Sequence, residues 1–558
     1  MTLTVSENVN MDLTIPQDAQ RVWWKEASIY QIYPASFCDS NGDGIGDIRG
    51  IITKLDYLKT LGADVLWLCP VYKSPQVDMG YDIADYRTIH PPYGTLKDVE
   101  NLISGLHQRG MKLVMDLVVN HTSDQHAWFQ ESRSSLDNSK RDWYIWRKPI
   151  FDERGNRHPP NNWASIFGGS AWAYDGTTEE YYLRLFCKEQ PDLNWENPVM
   201  VQEVHDMMRF WLDKGVDGFR MDVINLISKT PGFPDAPITV PNQEFQPAHQ
   251  YYANGPRLHE FLRGFRKILD HYDAFAVGEM PWAKDEGDVI NSVAAKRKEL
   301  NMIFQFDIVD MDNGPEGKFS PRAWSLHTLK DIVDKWQTCM YENNGWNALF
   351  LENHDQSRSV SRFTPHNLSN RKLAAKLLAT FIGFQSGTLF VYQGQELGMS
   401  NLPKEWPIEE YKDWNSEEHG GFSDGVPWMR VNDDYTQCNA EQQLSDPTSV
   451  FFHWRHVLEL RRQYWGVFIY GQFEIVDREH PAIFCYNRIG RTASATVVTN
   501  FSEEEQEWSP PQATVDSLRN GTIVLANCGR REELRGHSLT LRPFESFVVL
   551  EQESGHHL

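Results

Sequence analysis

The chain of 558 residues is long enough to bury more than one hydrophobic core, so we expect one large domain with smaller appended domains. Its formal net charge of −23 disfavours nucleic acid or an anionic membrane as a partner, because both require a basic surface. A neutral small-molecule partner fits this charge better.

Cysteine usage and the apolar segments bear on the compartment. The seven cysteines are scattered and never form a C-x-x-C pair, which favours free thiols and a reducing environment. The first residues lack the charged and apolar regions of a signal peptide. The most apolar stretch, 377–392, is too short and too interrupted for a membrane span. We therefore expect a cytoplasmic protein without a membrane or nucleic-acid partner, and its oligomeric state stays open.

The middle of the chain alternates apolar runs with amphipathic segments, which is the pattern of a parallel α/β architecture. The predicted strands are 29–37, 65–70, 112–120, 218–223, 275–279, 304–307, 348–352 and 388–393. The predicted helices between them include 52–61, 96–109, 199–214, 257–272 and 371–383. Eight strands separated by helices predict a (β/α)8 TIM barrel, whose functional residues lie at the carboxyl ends of the strands.

Two intervals depart from this alternation. Residues 121–197, after the third strand, are rich in Trp, Asn, Gly and Pro and predict a small inserted domain. This insertion divides the barrel into residues 21–120 and 198–470. Residues 471–558 carry short alternating runs without a helical period, which predicts a C-terminal antiparallel β-sandwich. These runs are 473–476, 482–487, 495–500, 538–541 and 547–550.

A loop near the start of the chain has the spacing of a metal site. Oxygen-bearing groups recur at alternate positions, with a glycine at the sixth position, as in the first half of a calcium loop. The twelfth position is Gly50 rather than Glu, so the loop is not an EF-hand. A solvated turn is the alternative, but five positions in register favour structural Ca2+, with Mg2+ as a second possibility. The predicted ligands are Asp39, Asn41, Asp43, Ile45 (through its carbonyl) and Asp47.

Three carboxylates stand where predicted strands end. Asp222 ends Gly-Phe-Arg-Met-Asp, Glu279 ends Phe-Ala-Val-Gly-Glu, and Asp355 follows Leu-Phe-Leu-Glu-Asn-His. A carboxylate at such a position is costly unless it is paired or used. Three of them predict a single acidic site suited to acid and nucleophile chemistry on a sugar. With aromatic residues at 13% of the chain, some rings can stack on sugar faces.

The neighbours of these carboxylates suggest separate roles. Arg220 lies two residues before Asp222, so both side chains point the same way, and the guanidinium should lower the pKa of Asp222. A structural Arg–Asp pair is the alternative. Glu279 follows four apolar residues, an environment that suits a general acid. His354 and Asp355 supply a donor and an acceptor for adjacent sugar hydroxyls.

In sequence the chain resembles glycoside hydrolase family 13, the α-amylase superfamily, and within it the α-glucosidase and oligo-1,6-glucosidase branch. The resemblance runs from about residue 23 to the C-terminus. Its motifs, all in the family's order, are Asp-Met-Gly-Tyr-Asp (78–82), Asp-Leu-Val-Val-Asn-His (116–121), Phe-Gly-Gly-Ser-Ala-Trp (167–172), Gln-Pro-Asp-Leu-Asn-Trp (190–195), Gly-Phe-Arg-Met-Asp-Val-Ile (218–224), Gly-Glu-Met-Pro (278–281), Glu-Asn-His-Asp-Gln (352–356) and Tyr-Gln-Gly-Gln-Glu-Leu-Gly (392–398).

The resemblance implies a role for each matched residue. Asp222 would be the nucleophile, Glu279 the general acid/base and Asp355 the stabiliser of the transition state. Asp116 would orient Arg220 without touching substrate. The implied substrate-binding residues are Asp78, Tyr81, His121, Phe167, Phe186, Gln190, Arg220 and His354, although ordinary packing also explains Phe167, Phe186 and Gln190. The family fold carries the same inserted domain and a structural Ca2+ in a loop like 39–47.

Residues around the nucleophile bear on specificity. In the family, Val directly after the nucleophile, here Val223, accompanies cleavage of α-1,6 links, and Met280-Pro281 is similar to oligo-1,6-glucosidases. The resemblance therefore implies a retaining, exo-acting enzyme on short α-gluco-oligosaccharides. The alternatives are a sucrose isomerase, a trehalose-type hydrolase or a glucanotransferase, because the same triad serves each. A non-catalytic amylase-like scaffold is a further alternative, but it would lack the carboxylates.

One family motif is absent. Relatives carry Arg-Thr-Pro-Met-x-Trp after the Gln-Gly-Glu-x-Gly region, whereas here only 400–419 separates Met399 from Gly-Gly-Phe at 420–422. Another residue closes the pocket, or the pocket is wider and favours transglucosylation, or a segment is missing from the sequence.

Overall fold

The computed structural model of the protein describes residues 21–283, 285–315, 317–364, 370–406, 422–529 and 537–552. Eight parallel strands close into a barrel, and antiparallel sheets lie outside it. The predicted α/β class is therefore confirmed. Within the described ranges, no helix combines the length and the apolar character that a membrane crossing requires.

The barrel strands, numbered β1 to β8 here, follow one another around the ring in chain order. They are β1 Ser28–Ile32, β2 Val65–Leu68, β3 Lys112–Leu117, β4 Gly218–Met221, β5 Phe275–Glu279, β6 Met302–Phe304, β7 Asn347–Leu349 and β8 Thr388–Tyr392. Strand β8 closes the ring by pairing in parallel with β1, with Ser28 opposite Leu389. The predicted TIM barrel is confirmed.

Side chains along each strand alternate between the barrel interior and the surrounding helices. On β5, Phe275 and Val277 belong to the apolar cluster that fills the interior. Ala276, between them, packs in the outer cluster against the helices. Glu279 takes the next inward position, at the carboxyl end of the strand. The interior row therefore changes from apolar to acidic where the barrel opens.

Helices surround the barrel and connect its strands. The α-helices are Trp23–Glu26, Ile48–Thr53, Leu55–Leu61, Leu96–Gln108, Ala127–Ser132, Pro198–Asp213, His249–Tyr252, Leu258–His271, Glu286–Val293, Asp307–Asp310, Leu326–Glu342, Ser359–Phe363, Arg371–Gly383, Ala440–Ser445, Val450–Gln463, Trp465–Phe468 and Gln512–Asn520. Side-chain caps begin several of them; Thr95 and Asp98, for example, form a capping box at the start of the fourth helix.

Two predicted elements of the barrel need correction. The predicted helix 52–61 is divided between two helices, Ile48–Thr53 and Leu55–Leu61. The first begins earlier than predicted, because Asp47 caps it by accepting the Gly50 N–H. The predicted strand 304–307 was wrong in position, since β6 ends at Phe304. Asp307 instead begins a short helix and accepts a hydrogen bond from Trp336 Nε1 at 2.9 Å.

The segment predicted as an insertion forms a small antiparallel unit. Its three-stranded sheet has the order Trp146–Arg147, Glu180–Leu183, Trp172–Asp175. A two-stranded hairpin pairs Ile150–Phe151 with Arg157–His158. The unit returns to the barrel through a bridge between His121 and Asp192. The boundaries set at 121–197 stay a prediction.

The C-terminal region is antiparallel, as predicted. Its five-stranded sheet has the order Gln472–Val476, Ile483–Ile489, Ala493–Asn500, Ser546–Gln552, Thr522–Ala526. A second sheet pairs Gln506–Trp508 with Leu539–Leu541, and the two sheets share an apolar cluster around Trp508 and Phe547. Between the predicted runs, Gln512–Asn520 forms a helix that the sequence analysis did not identify.

A buried lysine joins the barrel to the C-terminal sheet. Lys330, on the helix Leu326–Glu342, has no exposed surface. Its ammonium donates to the carbonyls of Asp477 at 3.0 Å, Arg478 at 3.0 Å and His480 at 2.6 Å. These carbonyls belong to the turn between the first two strands of the sheet. The side chain therefore satisfies three acceptors of the other domain at once.

We expect Lys330→Met to destabilise the protein by about 2–4 kcal/mol, because three carbonyls lose their donor inside the interface. Scanning calorimetry would measure the lower melting temperature. Lys59→Met, on an exposed helix position, serves as the control and should leave the melting temperature unchanged. An equal melting temperature for both variants would show that water replaces the ammonium without cost.

Candidate active site

One buried guanidinium organises the mouth of the barrel. Arg220, on β4, is 1% exposed. Its Nη1 donates to Asp116 Oδ1 at 2.6 Å and to Asp222 Oδ1 at 2.7 Å, and its Nη2 donates to Glu279. Strands β3, β4 and β5 thus bring three carboxylates onto a single cation. The expectation that Arg220 and Asp222 point the same way is borne out by this contact.

Asp116 lies beneath the site and away from solvent. It has no exposed surface and accepts a hydrogen bond from Trp67 Nε1 at 2.8 Å as well as the Arg220 bond. Both of its oxygens are occupied by the protein. The geometry agrees with the expectation that Asp116 orients Arg220.

Asp222 and Glu279 form a close pair. The two side chains bond to adjacent nitrogens of the Arg220 guanidinium, and burial raises the pKa of Asp222 well above its ordinary value. Arg220 opposes this shift, while Glu279 and Asp116 add to it. Arg220 therefore lowers the pKa of Asp222, as expected, but the net shift is upward, because one guanidinium shared among three carboxylates does not offset the desolvation of Asp222.

Asp355 approaches the same site from the end of β7 and remains open to solvent. Its side chain is 49% exposed, and one oxygen lies 3.2 Å from His354 Nε2. Partial desolvation alone would raise the pKa of Asp355, but His354, Arg220 and Lys318 outweigh it, and the net pKa is lowered. The lowered pKa favours an ionised Asp355, in contrast to the raised pKa of Asp222.

His354 connects Asp355 to the guanidinium. Its ring stacks on Tyr81 with centroids 5.4 Å apart, and its Nε2 lies 2.8 Å from the Tyr81 hydroxyl. That hydroxyl also accepts from Arg220 Nη1 at 3.5 Å. Contacts thus run unbroken from Glu279 through Arg220, Tyr81 and His354 to Asp355. These contacts join the three predicted catalytic carboxylates in one network.

A second group of predicted residues forms the adjoining wall. Gln190 Nε2 donates to Asp78 Oδ2 at 2.8 Å and lies 3.2 Å from His121 Nε2. Phe186 packs with its ring centroid 5.1 Å from that of His121 and 5.5 Å from that of Phe167. Tyr81 bonds to the same wall, because its N–H donates to the Asp78 carbonyl at 2.9 Å. Through it, the wall is continuous with the carboxylate cluster.

Burial sets the charge of this wall. It lowers the pKa of His121 to about 4, so the ring is neutral near pH 7. Burial also raises the pKa of Asp78, which the Gln190 amide partly opposes. Phe167 differs from its neighbours, because its side chain is 57% exposed. An exposed ring at the rim is available for contact with a bound molecule.

Sequence reasoning missed three polar residues of the site. Gln31, on β1, places its amide 2.8 Å from His354 Nδ1, and Lys318 donates to the Asp355 carbonyl at 3.0 Å. Lys229 forms a buried ion pair with Asp192 at 2.9 Å. Gln31 had a signal, since it interrupts an apolar strand. Lys229 and Lys318 lie in connecting loops without any periodicity that would have marked them.

The predicted metal loop is tightly hydrogen-bonded. Asp39 accepts the N–H groups of Asn41 at 2.9 Å and Gly44 at 2.8 Å, and Asp43 accepts the Ile45 N–H at 2.9 Å. Asp47 caps a helix. Across the described ranges, no three His, Cys, Asp or Glu side chains converge as a metal site. The oxygen donors suit Ca2+ by their chemistry, and a bound ion stays a prediction.

The loop also holds the chain that returns after residue 421. Ser423 Oγ donates to Asp39 Oδ2 at 2.6 Å, and the Trp428 N–H donates to the Gly44 carbonyl at 2.9 Å. Residues 407–421 lie outside the described residues. The question of what replaces the Arg-Thr-Pro-Met-x-Trp motif falls largely within that segment and stays open.

Comparison with known proteins agrees with this geometry. Residues 31–471 match the family described as alpha amylase, catalytic domain. The alpha-glucosidase of Schizosaccharomyces pombe is 49% identical over 532 residues, covering 88% of this chain and 92% of the relative. The oligo-1,6-glucosidase of Parageobacillus thermoglucosidasius is 46% identical, covering 95% of this chain and 99% of the relative.

Solved structures agree as well. Trehalose-6-phosphate hydrolase of Bacillus licheniformis has a TM-score of 0.88 at 40% identity, covering 96% of this chain and 100% of that chain. Isomaltulose synthase of Klebsiella sp. LX3 has a TM-score of 0.88 at 36% identity, with coverage of 96% and 100%. Because the family match spans most of the sequence and the relatives align over nearly their whole length, this chain belongs to the α-amylase family, glycoside hydrolase family 13, and is a glycoside hydrolase.

Proposed function

We propose that the protein is a retaining, exo-acting α-glucosidase that releases glucose from the non-reducing end of short α-gluco-oligosaccharides. The observation that carries this proposal is the pair Asp222 and Glu279, held by adjacent nitrogens of the same guanidinium. Two carboxyl groups at the mouth of one barrel supply the nucleophile and the proton donor that glycoside cleavage requires.

The proposed reaction has two steps. Asp222 attacks the anomeric carbon, the bond to the glycosidic oxygen breaks, and its electron pair stays on that oxygen. Glu279 gives the oxygen its proton, so the leaving sugar departs as an alcohol. Water then attacks the anomeric carbon of the glucosyl ester, its proton passes to Glu279, and Asp222 is released. A second sugar in place of water would give transglucosylation.

The closeness of the two carboxyls supports retention. Inverting enzymes separate their carboxyl groups by about 6.5–9.5 Å to hold a water between them. Here Asp222 Oδ1 and Glu279 Oε2 bond to the two terminal nitrogens of one guanidinium, which keeps the two carboxyl groups close together.

The remaining residues would grip one glucose unit. Asp355, ionised and open to the cleft, would accept hydrogen bonds from ring hydroxyls and balance positive charge in the transition state. His354, Arg220 and Tyr81 surround the same space. The bonded wall of Asp78, His121 and Gln190 would close the far end, which favours attack on a terminal sugar. The exposed Phe167 would meet the substrate at the rim.

We propose α-1,6 links as the preferred target, with α-1,4 links as a second. Val223 beside the nucleophile and the similarity to an oligo-1,6-glucosidase support this choice. The equal similarity in fold to a trehalose-6-phosphate hydrolase and an isomaltulose synthase keeps a trehalose-type hydrolase and a sucrose isomerase as second candidates. Chromatography of products from isomaltose, maltose, sucrose and trehalose separates all of these.

Replacing the nucleophile should abolish turnover. We expect Asp222→Asn to lower kcat by about 10⁴-fold or more, because the amide cannot form the glucosyl ester. Asp56→Asn is the matched control on an exposed residue and should keep full activity. Proton NMR of early wild-type product should show α-glucose first. A β-anomer, or an active Asn variant, would contradict the retaining mechanism.

Shortening Val223 tests the linkage preference. We expect Val223→Ala to lower the ratio of kcat/KM for isomaltose to that for maltose, because a smaller side chain beside the nucleophile admits the bulkier approach of an α-1,4-linked sugar. Both substrates have sugar leaving groups, so the ratio reports on the link alone. An unchanged ratio would remove Val223 as its determinant, and a wild type inactive on isomaltose would remove the α-1,6 assignment.

Chelation tests the proposed structural Ca2+. If an ion binds the oxygens of loop 39–47, EDTA should lower the melting temperature by several degrees, and added Ca2+ should restore it more fully than Mg2+. Asp43→Asn should remove the response while the catalytic carboxylates stay intact. An EDTA-insensitive melting temperature would mean that the loop's own hydrogen bonds suffice.

A further inference from the structure

The residue after Asp222 has a strained backbone. Val223 has φ of 36° and ψ of 42°, in the left-handed region. A β-branched residue rarely adopts this conformation, because its two Cβ substituents crowd the backbone. The side chain is buried, so solvent does not determine the turn. Strain of this kind persists only where the surrounding structure enforces it, and it concentrates at functional sites.

The turn redirects one N–H group. The Asp222 N–H still follows the barrel and donates to the Leu117 carbonyl at 3.0 Å. One residue later, the Val223 N–H donates to Glu279 Oε2 at 3.4 Å. An extended residue at this position would continue β4 and would direct its N–H into the strand ladder. At the left-handed turn this donor instead reaches the side chain of Glu279.

Glu279 is thereby held from two sides. Its Oε2 accepts from the Arg220 guanidinium and from the Val223 amide. The guanidinium is shared with Asp116 and Asp222, so it does not by itself determine the orientation of the Glu279 carboxyl. The Val223 amide bonds Glu279 alone and belongs to the main chain, which side-chain rotation cannot move.

Packing of the Val223 side chain keeps the turn in place. The side chain belongs to the apolar cluster of the inserted unit, together with Phe186, Leu226 and Tyr252. The main-chain carbonyl of Val223 accepts the Leu226 N–H at 2.9 Å, and this bond starts a short 3₁₀ helix. Burial of the isopropyl group offsets the cost of the left-handed backbone. The inserted unit thus acts on Glu279 through Val223.

We propose that Val223 is a positioning residue for Glu279. Its strained main chain supplies a fixed N–H donor that holds the acid's carboxyl group aimed at the glycosidic oxygen, and its side chain secures that main chain. The inference rests on the proposed function, in which Glu279 is the general acid/base. Val223 acts through Glu279 and does not touch the reacting atoms.

The leaving group provides a readout specific to the acid. A sugar leaves as a poor alkoxide and depends on protonation, whereas p-nitrophenolate leaves readily without it. Misplacing Glu279 should therefore slow isomaltose cleavage more than p-nitrophenyl α-glucoside cleavage. Loss of folded protein would lower both rates equally. The ratio of the two kcat/KM values separates positioning from stability.

Alanine and glycine at position 223 make a matched pair. Both remove the isopropyl packing, but glycine adopts positive φ freely while alanine keeps the Cβ that opposes it. In Val223→Ala the turn should relax and the N–H should leave Glu279, so we expect the isomaltose to p-nitrophenyl ratio to fall about tenfold. In Val223→Gly the ratio should stay within about twofold of wild type, despite lower stability. A residue that acted by packing alone would give the reverse order, or no difference.

NMR tests the same contact without turnover. The chain has four Asp-Val pairs, at 64–65, 98–99, 222–223 and 288–289, so carbonyl-¹³C aspartate with ¹⁵N valine yields four selected amide signals. Val223→Ile assigns the relevant one by its loss. The Val223 amide proton should move in Glu279→Gln, while the other three stay. An unmoved signal would mean that the amide does not bond Glu279, and the proposal would be wrong.

Experiment can separate the proposed function from the positioning role of Val223. A wild type inactive on both glucosides would remove the proposed function, and the role of Val223 with it. A wild type active on both, with Val223→Ala keeping a ratio equal to or above that of Val223→Gly, would leave the glucosidase intact and overturn the positioning role alone.

Discussion

The site depends on the burial of one guanidinium among three carboxylates. Arg220 is enclosed by the barrel and bonded to Asp116, Asp222 and Glu279. Removing one partner from a buried charge pair typically costs about 3–5 kcal/mol, so the cation and its anions stabilise one another. One cation cannot neutralise three anions. Desolvation, reinforced by the negative charges of Glu279 and Asp116, therefore raises the pKa of Asp222.

The barrel makes this arrangement unavoidable once the strands are paired. Inward positions on β5 run from Phe275 through Val277 to Glu279, so an apolar interior row ends in an acid where the strand meets solvent. On the adjacent β4, Arg220 lies opposite Val277 in the register. Parallel strands bring their carboxyl ends to one side. Residues distant along the chain therefore meet at a common rim, without any special loop to bring them there.

Strand periodicity is why so much of the site could be predicted from sequence. Asp222 and Glu279 each follow an apolar run, and that local pattern was enough to locate both. Contacts between residues that are distant in sequence have no such local pattern. Lys229 and its partner Asp192 lie in loops far apart in sequence, and nothing local signals their ion pair. The net pKa shift of Asp222 was predicted wrongly for a related reason, since the sharing of Arg220 among three acids is visible only in three dimensions.

The wall and the carboxylate cluster are built by different parts of the chain. Gln190 and Phe186 come from the inserted unit. Lys229 connects that unit to the barrel, because its Nζ pairs with Asp192 at 2.9 Å and donates to Asn120 Oδ1, shortly after β3, at 3.0 Å. The cluster needs only the barrel. Relatives with different named activities share this fold, so the barrel alone does not determine which sugar is cleaved. If Glu279 is the acid, as proposed, a change in the inserted unit would act both on the wall and, through the turn at Val223, on the Glu279 carboxyl.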